Sequence, residues 1–373
     1  MTANLPAYDT LLTYCRQFLP EERITRLRNL VWLMLSLLYS TDGHLSSLAE
    51  VIVLAATDLS IEQRIRRWLK NSAIDVRAWY EPFVRSTLRT YAPGVVYVVM
   101  DSTQYGPGCR ALVIGVAYGG QVLPLGWRVV KGKKGHTCPQ LQKELLVEIR
   151  AYLPPGPVVL VADSEFCAVA LLDTITDWGW HFIVRVRSNV YLHQGNKAPF
   201  TLASVALKPG ELYCWRAVFW TNEHLFGPLL AIGYWAKGEE EPLYVLTDTQ
   251  HEEAALLVYS WRFWIEPLFA DFKGRGFHLA QTRIRDPKRL SRLLLVACIT
   301  FLWTVSVGSH VFHSPEQRLV DRNDRTDRSF FRVPTGRGYR LLKRLIKLAL
   351  PLRVLFRIHP DWLQIALSFH RVT

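Results

Sequence analysis

Residues 94–101, GVVYVVMD, turn the reading of this chain from helical to α/β. Before them, residues 1–90 carry apolar residues at helical spacing with few strand signals. After them, RALVIGVAYGG (110–120) and QVLPLGWRVV (121–130) read as strands, with Gly119-Gly120 as the hairpin turn between them. LQKELLVEIRAYL (141–153) reads as a helix, GPVVLVAD (156–163) as a second buried strand, AVALLDTITDWG (168–179) as a helix and WHFIVRVRS (180–188) as a strand. A hairpin followed by strand–helix alternation predicts an α/β domain with a mixed sheet.

Residues 189–245 interrupt that rhythm. Trp215, Trp220, Trp235, several glycines and alternating segments such as ELYCWRAVFW predict a β-strand insertion, with PLYVLTD (242–248) as its last strand. A helical region is expected from Glu252. The predicted organisation is a helical region over 1–90, an α/β domain over 91–188 and 246–310, the insertion over 189–245, and a basic helical region over 311–373 that contains the amphipathic RLLKRLIKLAL.

The chain has 373 residues, half of them hydrophobic, and a net charge of +13 with a pI of about 9.6. That balance points to a polyanionic partner, above all nucleic acid. Basicity concentrates in residues 311–373, which hold 13 Lys and Arg against 5 Asp and Glu, a net of +8. The six cysteines (15, 109, 138, 167, 214, 298) are scattered, with no CxxC pair and no zinc-ligand spacing. Free thiols in a reducing cytoplasm are expected. The first twenty residues lack the pattern of a secretory signal. LLLVACITFLWTVSVGSHVF (293–312) is close to membrane-spanning length, but its Thr, Ser and His residues predict a buried helix and no membrane.

LSIEQRIRRWLKN (59–71) is the clearest amphipathic helix near the start. Ser60 and Gln63 form a capping-box pattern. Ile61, Ile65, Trp68 and Leu69 make the apolar stripe, and Arg64, Arg66, Arg67 and Lys70 crowd the remainder. With HLSSLAEVIVLAA before it, two readings stand: a helix-turn-helix DNA reader using Arg64 and Arg67, or a small bundle with a solvated basic face.

Asp101 and Asp163 each stand at the end of an apolar strand pattern, VVYVVMD and VVLVAD. Carboxylates at the carboxyl ends of neighbouring strands face the crevice where α/β sheets bind ligands, although strand-ending aspartates also serve turns and caps. Two such charges side by side call for a hard cation, Mg²⁺ or Mn²⁺. YSWRFWIEPLFADFK (259–273) looks like a core segment yet keeps charged residues. On an ideal helix Tyr259, Arg262, Glu266 and Lys273 fall within about 60° of one another, so one stripe presents a phenol, two cations and a carboxylate. Arg262 and Lys273 would hold phosphates, Tyr259 would bond a phosphate or stack on a base, and Glu266 would complete a metal site. Pro267 predicts a kink, or a second helix beginning there.

The spacing Y-x2-R-x3-E-x6-K, complete here as Tyr259, Arg262, Glu266 and Lys273, resembles the signature of insertion-sequence DDE transposases of the insertion-sequence-four type. MDSTQ around Asp101, VADSEF around Asp163 and GRGFHLAQTRIRDPKRLSRLLLVACITFLW (274–303) carry the same resemblance, which covers roughly residues 60–310. It implies a ribonuclease-H-like catalytic core with Asp101, Asp163 and Glu266 as the metal-binding triad. The 103 residues from Asp163 to Glu266 leave room for the group's β-strand insertion.

The implied reaction is metal-dependent. Two Mg²⁺ or Mn²⁺ ions about 3.5–4 Å apart activate the nucleophile and stabilise the leaving oxygen. Asp101 would bridge both ions, with Asp163 and Glu266 holding one each. Water frees a 3′-OH at the transposon end, and that hydroxyl attacks the second strand or the target DNA. Passage through a DNA hairpin would need a base flipped out of the stack and trapped by an aromatic, for which Trp235 and Tyr244 are the candidates. Lys131, Lys133 and Lys134 would bind backbone phosphate or form a solvated loop. Asp248 and Asp271 compete for the third acidic position but lack the family spacing, and Glu165 would support the site from behind. The implied partners are double-stranded DNA, as inverted-repeat ends and target, and a second copy of the chain when ends are paired. The implied location is the bacterial cytoplasm, at the nucleoid. A structure-specific nuclease and a non-catalytic DNA-binding descendant of a transposase are the rival readings.

Overall fold

The β-branched run after residue 94 folds as the first strand of an antiparallel meander, in which β1 (Val96–Tyr105) pairs with β2 (Cys109–Tyr118) and β2 with β3 (Gln121–Lys131). Gly119 and Gly120 make the second turn with φ of 54° and 81°, conformations that cost glycine little because it has no Cβ. The computed structural model describes residues 5–89, 91, 94–132, 137–221, 225–312, 342–344 and 356–358. The expected basic helical region over 311–373 and the residues Lys133 and Lys134 lie almost entirely or entirely outside that range.

After the meander, α6 (Pro139–Arg150) crosses to β4 (Val158–Ala162), which pairs parallel to β1. Helix α7 (Val169–Asp177) then crosses to β5 (His181–Arg185), parallel to β4. The insertion supplies β6 (Tyr191–His193), β7 (Phe200–Thr201), β8 (Leu212–Trp220) and β9 (Phe226–Tyr234). Strand β10 (Leu243–Thr247) pairs antiparallel with β9 on one side and β5 on the other. The insertion therefore extends the central sheet instead of packing on it, and the whole reads β3-β2-β1-β4-β5-β10-β9-β8-β6-β7.

Five helices precede the sheet: α1 (Leu5–Phe18), α2 (Ile24–Tyr39), α3 (Leu45–Glu50), α4 (Asp58–Lys70) and α5 (Val76–Leu88). Helix α4 buries Ile61, Ile65, Trp68 and Leu69 and exposes Arg64, Arg66, Arg67 and Lys70, as its periodicity predicts. Its cap differs from the expectation. The helix begins at Asp58, so the hydroxyl of Thr57 accepts from the Ser60 amide at 3.3 Å, and Ser60 and Gln63 form no capping box. Residues 51–57 separate α3 from α4, a longer link than the 3–4-residue turn of a helix-turn-helix, which favours the bundle alternative.

The last part of the described chain is helical. Helix α8 (Glu252–Ser260) leads through a 3-10 turn, Trp261–Trp264, into α9 (Ile265–Ala270) and a π-helical turn, Asp271–Arg275. Helix α10 (Pro287–Phe312) packs on α2, α4 and α5 and on β3. By length and composition it could cross a membrane, but 94% of its apolar window is buried within the protein, as expected for a core helix. Arg292 reaches out of it to donate to the carbonyls of Leu69 and Ile74, both at 3.1 Å, and so ties α10 to the end of α4.

Candidate active site

Two of the acidic residues meet because of strand register. The parallel ladder of β1 and β4 ends at the pair Met100↔Ala162, and the next residues are Asp101 and Asp163. Asp101 does not end its strand, contrary to the sequence pattern: β1 loses β4 as a partner there but stays paired with β2 from Asp101↔Val113 to Tyr105↔Cys109. Asp163 does leave its strand, capping a 3-10 turn by accepting from the Ser164 amide at 2.6 Å. Asp101 accepts from the Ser102 amide at 2.7 Å.

The third acid arrives with Arg262. Its NH2 donates to Asp101 Oδ2 at 3.1 Å and to Asp163 Oδ2 at 3.3 Å, while NH1 donates to Glu266 Oε1 at 3.1 Å. One guanidinium thus joins all three carboxylates. The carboxylates differ in setting: the Asp101 side chain is 14% exposed, and that of Glu266 is 58% exposed at the mouth of the site. Burial pushes the Asp101 carboxyl up to about 6, against the opposing pull of Arg262. The Arg262 Nε is buried with no hydrogen-bond partner among the described residues. Among the described residues no group of three or more His, Cys, Asp and Glu side chains is close enough to hold a metal, and these three carboxylates meet through Arg262.

The backbone between residues 259 and 275 departs from the single helical stripe. The α-helix breaks at Trp261–Trp264, ahead of Pro267, and the second helix starts at Ile265. Trp261 packs edge-on against Tyr97 of β1 with centroids 4.7 Å apart and stacks on Trp264 at 5.0 Å, so tertiary packing sets the break. Pro267 sits in the first turn of α9, where its missing N–H is not needed. Tyr259 is buried near Asp163, and burial together with that charge raises its phenol. Lys273 lies over the ring of Tyr105 at 6.0 Å, four residues along β1 from Asp101. The structure therefore gathers Tyr259, Arg262 and Glu266 at the aspartates and places Lys273 farther along the same strand.

Glu165 stands behind the aspartates. Its Oε2 accepts from Ser102 Oγ at 2.9 Å and from Arg110 at 2.7 Å; its Oε1 accepts from the Thr137 amide at 2.8 Å and hydroxyl at 2.7 Å. β1, β2 and the approach to α6 are thereby pinned beside Asp101. Sequence reasoning missed Arg110, whose signal was a lone arginine in the apolar strand CRALVIGVAY. Asp248 is excluded from the site: it binds His181 Nδ1 at 2.9 Å and the Phe182 amide at 3.0 Å, at the start of β5 and the opposite end of the β4–β5 ladder from Asp163. Asp271 lies in the π-helical turn beside Arg275.

A cavity of about 710 Å³ opens from Asp163 along the insertion. Trp235 and Tyr244 line it, with Arg185 and Arg187. Lys131 ends β3 exposed, opposite Cys109. Arg64 and Arg67 are exposed on α4.

Comparison with known proteins finds one family pattern, described as "Transposase DDE domain", matching residues 87–303. That span includes Asp101, Asp163, Glu266 and the whole sheet. No curated protein matches the chain. Among solved structures, a cryo-EM piggyBac transposase synaptic complex with hairpin DNA is similar at a TM-score of 0.47 and 12% identity, covering 93% of this chain and 83% of that one.

Proposed function

Because the chain belongs to the transposase DDE domain family, we propose that it is a DNA transposase of the insertion-sequence-four type, which cleaves the ends of its element and joins them to target DNA. The observation that carries this reading is the meeting of Asp101, Asp163 and Glu266 on one cation, Arg262. The strand order β3-β2-β1-β4-β5, with β2 alone running against the others, supports a ribonuclease-H-like core.

The donor set fits hard divalent ions, Mg²⁺ or Mn²⁺: three carboxylates, no soft ligand, and a positive group already at their focus. Asp101, Asp163 and Glu266 would hold them, and bound ions would supply an activated water and polarise the phosphodiester. Arg262 would then turn its guanidinium, including the unpartnered Nε, to the substrate phosphate. Tyr259 would hold the phosphate from the buried side. Glu165 and Arg110 keep Asp101 aimed by fixing Ser102 next to it. The cavity lined by Trp235 and Tyr244 is open beside Asp163 and of a size to take a flipped base, with Arg185 and Arg187 also in its lining. Lys131 and Lys273 would follow the DNA backbone, as would Arg64 and Arg67 on α4. Pairing of two ends calls for a second copy of the chain. The working place is the cytoplasm, where the DNA is.

The test uses a labelled duplex ending in the element's inverted repeat, incubated with the protein with and without Mg²⁺, beside Glu266→Gln. Metal-dependent cutting at the end, lost in the variant by at least about 10³-fold, is expected. Cutting without joining would leave a nuclease, and tight binding without cutting in either protein would leave a DNA-binding relic.

A further inference from the structure

Away from the carboxylates, a cleft of about 530 Å³ opens between the first helices and the segment that enters α10. His44 and Arg66 line one wall, and Arg283, Arg285 and Arg289 the other. Two acids are also present, but both are engaged. Glu62 pairs with Arg66 within α4, and Asp286 caps α10, accepting from the Arg289 amide at 2.8 Å. Among the described residues no acid pairs with the guanidiniums of Arg283, Arg285 or Arg289, and the first two are exposed.

The cleft is built and held open. A Cβ on Gly43 would sit 2.3 Å from the His278 carbonyl, so the turn before α3 is pressed against the chain that leads to Arg283. Asp42 fixes that turn by accepting from the His44 amide at 2.8 Å and from Ser47 Oγ at 2.9 Å. On the other wall, Arg292 ties α10 to Leu69 and Ile74. The walls are thus joined by backbone contacts and buried hydrogen bonds, and three unpaired arginines project between them.

The cleft also continues a line of positive charge from the carboxylates. Arg262 sits on Asp101, and Lys273 lies over Tyr105 in the same strand. Lys131 is opposite Cys109, whose Sγ donates to the Arg285 carbonyl at 3.3 Å. A Cβ on Gly106 would meet the Ile284 carbonyl at 3.0 Å, so Arg283 and Arg285 flank the very turn that β1 enters. From Asp101 to Tyr105 is about 13 Å of strand, roughly four base pairs of duplex.

We infer, on the strength of the DNA function proposed above, that this arginine cleft binds the phosphate backbone of duplex DNA several base pairs away from the phosphate being cut. Arg283 and Arg285 clamp neighbouring phosphates, Arg289 adds its charge at the entry to α10, and Lys273 and Lys131 hold the duplex between cleft and carboxylates. The contact is with backbone, so it is indifferent to sequence and sets the angle at which DNA enters the site.

The test is the salt dependence of binding to a 30-base-pair duplex of mixed sequence, measured without metal. The double variant Arg283→Gln/Arg285→Gln is compared with the wild-type chain and with Lys143→Gln/Arg150→Gln, which removes the same charge from the exposed side of α6. Thermal unfolding checks that all three are folded. The cleft variant is expected to reduce the magnitude of the slope of log K against log salt by about 1.8, while the α6 variant keeps the wild-type slope. An unchanged slope in the cleft variant, or an equal fall in the α6 variant, overturns the cleft as a binding site and leaves the DNA function standing. A wild-type chain with no salt-dependent affinity for the duplex overturns both.

Discussion

Arg262 is the residue on which the site turns. Three carboxylates without a cation between them would repel one another, and Asp101 already pays in protonation for its burial, its carboxyl standing at about 6. The arginine resolves that conflict in the protein as folded. It could not do so without the register of β1 and β4, which brings two aspartates together 62 residues apart in sequence. Glu165 works one layer back, where every oxygen it offers is used. Glu165→Gln replaces one of those acceptors by a donor facing Arg110 or Thr137 and frees Ser102 beside Asp101. A 10–100-fold loss of cleavage rate is expected, with an increased Mg²⁺ requirement and unchanged duplex affinity. A Mg²⁺ titration of cleavage, set beside a binding isotherm, separates that result from simple misfolding. Strand pattern and family spacing single out Asp101 and Glu266, which the structure brings together on Arg262. Arg110 is not singled out, because its meaning comes from Glu165, 55 residues away.

At the scale of elements, strands were read well wherever both faces are buried. β4, the first half of β1 and β2 beyond Arg110 are continuous apolar runs, and their burial is what such runs predict. The error at Asp101 came from pairing: a strand ends where its last partner ends, and the partner that carries β1 onward is β2. The sequence from Tyr259 to Lys273 predicts a helix kinked at Pro267, or a second helix beginning there. Trp261 instead breaks it by seeking Tyr97, and the charged stripe is bent so that three of its members reach the aspartates. The π-helical turn after α9 carries its own signal. Burial pushes the Asp271 carboxyl from 3.8 up to about 6, with Arg275 pulling the other way. Between those values the folded chain holds more protons than the unfolded one. Its contribution to stability is full below the lower value and is lost as pH rises through the upper. Asp271→Asn keeps the neutral shape and removes the titration. From pH 5 to pH 8 the wild-type chain should lose about 1–1.5 kcal/mol relative to this variant, read from urea unfolding at each pH.

At the scale of the molecule, α10 joins what the sequence divides. The helical region before residue 90 and the sheet both pack on it, so its apolar surface is used on several sides. That is why its composition imitates a membrane span: a helix enclosed all round has no face left for charge. Past the first turn, where Lys288 and Arg289 stand, Arg292 is the buried exception, and its two carbonyl partners explain it. Arg292→Met would fill the space but leave the Leu69 and Ile74 carbonyls without their donor. A loss of about 2–4 kcal/mol in urea unfolding is expected, with the Asp101–Arg262 centre unaltered.

The order in which these parts leave the ribosome has a consequence of its own. Helix α10 is synthesised after the helices and strand it covers, so a nascent chain carries bare apolar faces on α2, α4, α5 and β3 until that helix emerges. Arg262 and Glu266 also come late, 161 residues or more after Asp101. A prematurely terminated product therefore holds two aspartates, lacks the groups that complete the centre, and displays the uncovered surface by which cells recognise protein for destruction. The carboxylate centre is therefore complete only once α9 has been made.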